Sequence, residues 1–197
     1  MSSTQKLYLL LLAAIALERT VELVITRRNL AWARAQGARE HGRDHYPWMV
    51  AVHATFLIAC PAEVIALDRP FLPLLGIPML LLLAAAMALR YWAIATLGPR
   101  WTTRILVVPG LPVVTGGPYR WLRHPNYLAV IVEVAALPLV HTAWITALVW
   151  SVANAFVLRA RIAAEEEALR RESDYDRAMT GRRALVPSAE REAASAR

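Results

Sequence analysis

From Leu128 to Leu158 the chain carries a single carboxylate, Glu133, and no lysine or arginine, with Pro138 and His141 near the middle. A helix that crosses a bilayer takes about 20 residues. The run is too long for one simple crossing. Folded back at Pro138–His141 it gives two arms of only about 15 residues each. We therefore expect a tight helical hairpin, with one arm partly buried in protein instead of crossing alone.

Three more apolar runs precede it: Leu7–Ile25, Trp48–Leu67 and Phe71–Leu97. With 57% hydrophobic residues among 197, the chain is too apolar for an ordinary soluble domain. The expected fold is all-α, an integral membrane bundle of about five transmembrane helices. No strand pattern is evident. Leu30–Gln36 has the composition of an interfacial helix ending near Gly37. Ala160–Arg177, rich in Ala, Glu, Leu and Arg, predicts a further helix, ended by Gly181 and Pro187. A polar tail is expected over 188–197.

Charge tests the span count. Arg27–Pro47 holds Arg27, Arg28, Arg34, Arg39 and Arg43 against Glu40 and Asp44. Gly98–Tyr127 holds Arg100, Arg104, Arg120 and Arg123 with no acid, and nine arginines follow Leu158. The short connections Asp68–Pro70 and Leu137–Thr142 carry almost no charge. Five alternating spans put all three basic segments on one side, which the positive-inside rule makes cytoplasmic, with the N-terminus outside. A bacterial plasma membrane is the expected location. The net charge of +7 then reads as attraction to anionic lipid and not to nucleic acid. Cys60 is the lone cysteine, so there is neither a disulfide framework nor a cysteine metal site. The first apolar stretch runs into Glu18, Arg19 and Glu22 without a small-residue cleavage site, unlike a signal peptide.

Several clusters carry chemistry. Gly116–Tyr127 reads Gly-Gly-Pro-Tyr-Arg-Trp-Leu-Arg-His-Pro-Asn-Tyr. Pro118 and Pro125 push their predecessors out of helix, and the glycines allow close approach. The result is an irregular loop with guanidinium, imidazole and free amides, able to hold a carboxylate and stack on a planar ring. Its plain alternative is a positive-inside loop anchored by aromatics. Glu165-Glu166-Glu167 follows Leu158 by about 10 Å of helix and returns to the same side; it is either a fixing point for an ammonium or hydroxyl, or a solvated, salt-bridged face. Glu165 and Arg161 are four apart and share that face. Glu133 lies within a span, where ionisable groups are functional candidates. It is a base or substrate anchor on one reading, a partner for Arg90 or Asn154 on the other. Glu18 and Glu22 fit helix knitting better than an ion path. His45 and His53 have too few neighbours of the right type for a metal, but either could line a pocket. There is no dinucleotide-binding glycine motif, phosphate loop or Gly-x-Ser-x-Gly.

The ordered set Gly117-Pro118-Tyr119-Arg120-x-x-Arg123-His124-Pro125-x-Tyr127, then a hairpin, then Glu165-Glu166, Tyr175 and Arg183…Pro187, resembles the isoprenylcysteine carboxyl methyltransferase family. Leu97-Gly98…Trp101-Thr102-Thr103-Arg104…Pro109-Gly110 fits it too. The chain departs from the family pattern where Leu128-Ala129 follow the motif tyrosine and where Phe-Gly is missing before Tyr175. The resemblance implies a single membrane methyltransferase domain over 1–187, with a cytosolic pocket for S-adenosyl-L-methionine built mainly from 97–187. Val113, Val114 and Tyr119 would line the cofactor, with Gly117 and Arg123 in the same set. His124, Asn126 and Tyr127 would close the pocket, Glu165 or Glu166 would fix its polar end, and Arg159 would approach the acceptor. The acceptor would be a lipophilic small molecule or lipidated species from the bilayer, methylated on a carboxylate or a phenol; some relatives act on phenolic lipids. No metal or nucleic acid is implied. A phenol would benefit from a base, for which Glu133 or a histidine is the candidate. Two rival readings use the same residues: a small transporter or channel with Glu18, Glu22 and Glu133 as an ion path, and a non-catalytic membrane partner protein. The first lacks the inverted repeat common in transporters, and five spans do not divide into equal halves; the second gives no reason for the ordered motif set.

Overall fold

The computed structural model describes residues 1–185; the expected tail and Pro187 lie outside them. Five long helices form the bundle: α1 (Ser3–Ala35), α2 (Tyr46–Ala66), α3 (Pro73–Leu97), α4 (Pro125–Leu139) and α5 (Trp144–Glu172), followed by a single turn, α6 (Tyr175–Ala178). The protein is an all-α integral membrane bundle. By length and apolar composition α2, α3 and α5 suffice to cross a membrane, and α4 is a shorter apolar helix. Leu10, Leu17, Ile58, Leu74, Leu81, Leu148 and Phe156 project from the helices exposed, as side chains that meet lipid do.

Three expectations need correction. The segment from Leu30 is no separate interfacial helix but the end of α1, which runs unbroken for 33 residues. The charged residues Glu18, Arg19 and Glu22 do not interrupt it, because they find partners inside the bundle. The helix expected over Ala160–Arg177 is continuous with the second hairpin arm and ends at Glu172. A strand pair is also present: β1 (Arg39–His41) pairs antiparallel with β2 (Ile105–Val107), with Glu40 opposite Leu106. It ties the basic segment after α1 to the one after α3.

The hairpin turns through Val140–Ala143 as expected and its first arm is 15 residues, but the second arm, expected at a similar length, runs 29 residues. His141 donates from Nδ1 to the Arg69 carbonyl (2.9 Å), and Thr142 donates to the Pro70 carbonyl (2.8 Å). Gly76 of α3 lies against this turn; a Cβ there would stand 2.9 Å from the Val140 carbonyl oxygen and 2.3 Å from the Phe71 ring. Glu63 of α2 accepts the Ile145 and Thr146 amides (3.2 and 2.6 Å) and the Thr146 hydroxyl. Those amides begin α5 and have no partner within the helix. The carboxylate also meets the positive end of the helix dipole. Arg69 holds its other side at 2.8 Å. The core itself is apolar, with Tyr8, Leu12, Phe56, Val64, Leu83, Val134 and Leu137 in one buried cluster.

Deep among α1, α3 and α4 lies an ionic cluster. Arg90 binds Glu22 through two parallel hydrogen bonds (2.6 and 2.8 Å). Arg19 joins Glu22 (2.7 Å) to Glu133 (2.9 Å), and Arg90 is 3.7 Å from Glu133. Glu18 is 3.0 Å from Arg19. Mutual pairing lets these charges stand inside a bundle where an isolated one is costly.

Candidate functional site

The chain beyond α3 makes the site's first wall. Gly117 opens a short 3-10 turn, Gly117–Arg120, with φ +53. A Cβ at Gly117 would fall 2.3 Å from the Thr96 hydroxyl, so the turn can rest on α3 only with glycine there. Within the turn Pro118 and Tyr119 are buried, and burial pushes the Tyr119 phenol up. Upstream, the Val113 amide donates to Asp174 Oδ1 (3.0 Å), which holds that carboxyl below its ordinary range. The Arg123 and His124 amides donate to the carbonyls of Arg183 and Ala184 (3.0 and 3.1 Å), so the end of the described chain clamps the motif loop.

The second wall is the charged half of α5, beyond the apolar stretch that ends at Leu158. Here the adjacent acids separate. Glu165 lines the cavity, and Tyr127 donates its hydroxyl to Glu165 Oε2. The same hydroxyl accepts from Arg161 Nε (2.8 Å), whose Nη2 donates to the Thr103 carbonyl (2.7 Å). Glu166 stands behind. Its Oε1 accepts from His124 Nε2 (3.1 Å), the Tyr175 hydroxyl (3.0 Å) and Arg123 (3.4 Å), and its Oε2 from Arg170 (2.6 Å). The His124 hydrogen bond is the main reason its carboxyl is held down at about 2. His124 is 4% exposed and stacks on Tyr127 with centroids 5.3 Å apart.

Between the walls is a cavity of about 430 Å³, within the range of small-molecule sites. Val113, Val114, Tyr119, Arg123, Asn126, Tyr127, Arg161 and Glu165 face it. The cavity continues past Trp101 into the bundle, where His53, Arg90, Glu22 and Arg19 line it beside Leu23, Val50 and Leu57. One end is thus polar and built from loops; the other is apolar with a charged floor. Asn126 Oδ1 is buried with no hydrogen-bond partner among the described residues.

Most of the residues singled out by sequence converge here, but not all. Glu166 and Gly117 shape the walls without facing the cavity. Glu133, expected as a base, does not line it; its carboxylate is taken up by Arg19 and Arg90, as in the structural alternative for that residue. Arg159, expected to approach the acceptor, is exposed and stands outside the cavity. The guanidinium that reaches inward is Arg161, which is buried. The two lie about 200° apart around the helix, so one loop cannot receive both. The four-residue spacing from Arg161 to Glu165 was the available signal. Asp174 and Arg170 carried none, because their partners lie across loops. Among the described residues no group of three or more His, Cys, Asp or Glu could hold a metal ion.

The family model described as the isoprenylcysteine carboxyl methyltransferase (ICMT) family matches residues 79–171. That span takes in most of α3, the motif loop, the hairpin and the acids on α5. Two bacterial relatives match over most of the chain. The Bacillus subtilis protein YpbQ is 40% identical over 164 residues, covering 83% of this chain and 96% of the relative. A Haemophilus influenzae protein is 29% identical over 158 residues, covering 80% of this chain and 91% of the relative.

Proposed function

The chain belongs to the isoprenylcysteine carboxyl methyltransferase family of membrane methyltransferases, and we propose that it transfers a methyl group from S-adenosyl-L-methionine to an oxygen, of a carboxylate or a phenol, on a lipophilic acceptor. The observation that carries this reading is a single cavity joining two environments: the loop residues of the family motif at one end and the apolar bundle interior at the other. The residues present suit the cofactor. Its ammonium and ribose hydroxyls need acceptors; Asn126 and Glu165 line the cavity, and the buried Asn126 Oδ1 has no partner among the described residues. Arg123 would meet a carboxylate, Tyr119 and Tyr127 offer ring faces, and Val113 and Val114 offer an apolar ledge. When bound there, S-adenosyl-L-methionine supplies a methyl group activated by a sulfonium.

The protein's own work is positioning, which can contribute about 7–11 kcal/mol to a two-substrate reaction. The Arg161–Tyr127–Glu165 hydrogen-bond chain fixes one side of the polar end. Glu166 fixes the His124 ring that stacks on Tyr127, so the two acids act on the same aromatic from two directions. The acceptor enters from the bilayer between exposed Leu23 of α1 and Val50 of α2, which both border the cavity. In this reading the loop end is cytoplasmic, the N-terminus is outside, and the membrane is the bacterial plasma membrane. Titration of S-adenosylhomocysteine into the purified protein tests it. Saturable binding is expected, weakened by Glu165→Ala and Asn126→Ala; no binding to the intact protein overturns the reading.

A further inference from the structure

His53 sits on α2, about 10 Å along the helix from Tyr46, and lines the inner part of the cavity. Its Nδ1 is 2.8 Å from the Met49 carbonyl, one turn back. A carbonyl only accepts, so Nδ1 carries the proton and Nε2 of the neutral ring is a lone-pair acceptor. Nothing among the described residues hydrogen-bonds Nε2. The edge of the ring tied to the helix backbone is the Nδ1 edge, which leaves Nε2 for the cavity.

Most of the other polar groups around this part of the cavity are engaged with one another; Arg90 Nη1 is buried without a hydrogen-bond partner among the described residues, 3.7 Å from Glu133. Arg90 and Glu22 bind each other, and Arg19 spans Glu22 and Glu133. The charges that act on His53 are Glu133 from α4, Arg90 from α3 and Arg19 from α1. They pair among themselves, leaving His53 as the acceptor held ready where a lipophilic molecule's polar head would stop.

We propose that His53 is the proton acceptor for a hydroxyl-bearing acceptor, and that it makes the site select a hydroxyl over a carboxylate; this rests on the methyltransferase reading above. A neutral ring with a free Nε2 lone pair accepts an O–H hydrogen bond and repels a carboxylate oxygen. In the transfer, the acceptor's O–H bond breaks and its proton passes to Nε2. The O–CH3 bond forms as the methyl–sulfur bond breaks, its electron pair remaining on sulfur. The positive charge moves from the sulfonium to the imidazolium, and the proton then leaves to water through the cavity.

The test uses the purified full-length protein in lipid nanodiscs and a matched pair of probes, 4-dodecylphenol and 4-dodecylbenzoic acid. With 15N-labelled histidine, 4-dodecylphenol should shift the His53 Nε2 resonance, whereas its methyl ether should not. With labelled S-adenosyl-L-methionine, the phenol should be methylated in preference to the benzoic acid. His53→Ala should lower kcat on the phenol by at least about 100-fold while S-adenosylhomocysteine affinity is unchanged. His53→Gln, which can accept a hydrogen bond but not a proton, should keep KM near wild type and lose kcat. The loss should shrink on a nitro-substituted alkylphenol, whose proton leaves more readily. An unmoved Nε2 resonance, equal kcat in His53→Ala, or a wild-type protein that binds S-adenosylhomocysteine without methylating the phenol each overturns the role. A wild-type protein that does not bind S-adenosylhomocysteine overturns the methyltransferase reading instead.

Discussion

Glu165 and Glu166 are neighbours in sequence but turn their carboxylates to different partners: Glu165 accepts the Tyr127 hydroxyl, and Glu166 accepts from His124 and Tyr175. Successive residues on a helix point about 100° apart. The division follows from that angle once Arg161, a turn before Glu165, is buried against the motif loop. It predicts separable phenotypes. Glu165→Gln should weaken S-adenosylhomocysteine binding while leaving the melting temperature near that of wild type. Glu166→Gln should lower the melting temperature, because four donors lose an ionised acceptor. Calorimetric titration and thermal melting of both variants check this; equal effects on binding and melting would remove the distinction.

Glu166 also gives a pH signature. Its folded carboxyl is held at about 2 against an ordinary 4.5. A depressed folded value means that the ionised group stabilises the fold above about 4.5 and that this contribution disappears as pH falls through about 2. The gap in melting temperature between wild type and Glu166→Gln should therefore be full at neutral pH and close steadily below pH 5. Melting curves across that range measure it, and a gap independent of pH would argue against an ionised Glu166 as the hub.

Much of this arrangement was legible in the sequence, and the gaps have physical causes. The hairpin follows from an apolar run longer than one crossing, and the shared face of the basic segments from charge alternation. The motif loop and the acids on α5 therefore meet as expected. The strand pair was not legible, because β1 and β2 are three residues each and pair across more than sixty residues of chain. Neither segment is long enough to show alternation. Arg161 is visible as a helical neighbour of Glu165, but choosing it over Arg159 needs the helix phase relative to Tyr127. Glu133 reads from sequence as a charge within a span; its partners lie on helices distant in sequence, and Arg19 becomes one only through α1's packing.

The ionic cluster predicts an asymmetry between its members. Glu18, Glu22 and Glu133 face two guanidiniums, Arg19 and Arg90, so the carboxylates are formally one in excess. Removing a cation strands a buried carboxylate; removing a carboxylate relieves the excess. Arg90→Met should cost about 3–5 kcal/mol, and adding Glu22→Met should recover part of it. Glu133→Gln should cost much less and leave S-adenosylhomocysteine affinity unchanged. Unfolding of the three variants in mixed micelles measures the ordering, and Glu133→Gln as the most damaging change would contradict it.

Gly117 links the membrane part to the loop. Its φ of +53 and the 2.3 Å that would separate a Cβ there from the Thr96 hydroxyl make two separate demands for glycine. Gly117→Ala meets both penalties, strain in the left-handed region and a clash with α3. The turn must then lift from α3, carrying Tyr119 away from the cavity. S-adenosylhomocysteine binding should fall sharply while the apolar bundle stays folded. Adding Thr96→Ala removes the closest atom but leaves the strain and the Thr96 Cβ contact at 3.2 Å. The double variant should therefore recover binding only in part. Titration of both variants decides this: full recovery would assign the whole effect to the clash, and none would assign it to backbone strain.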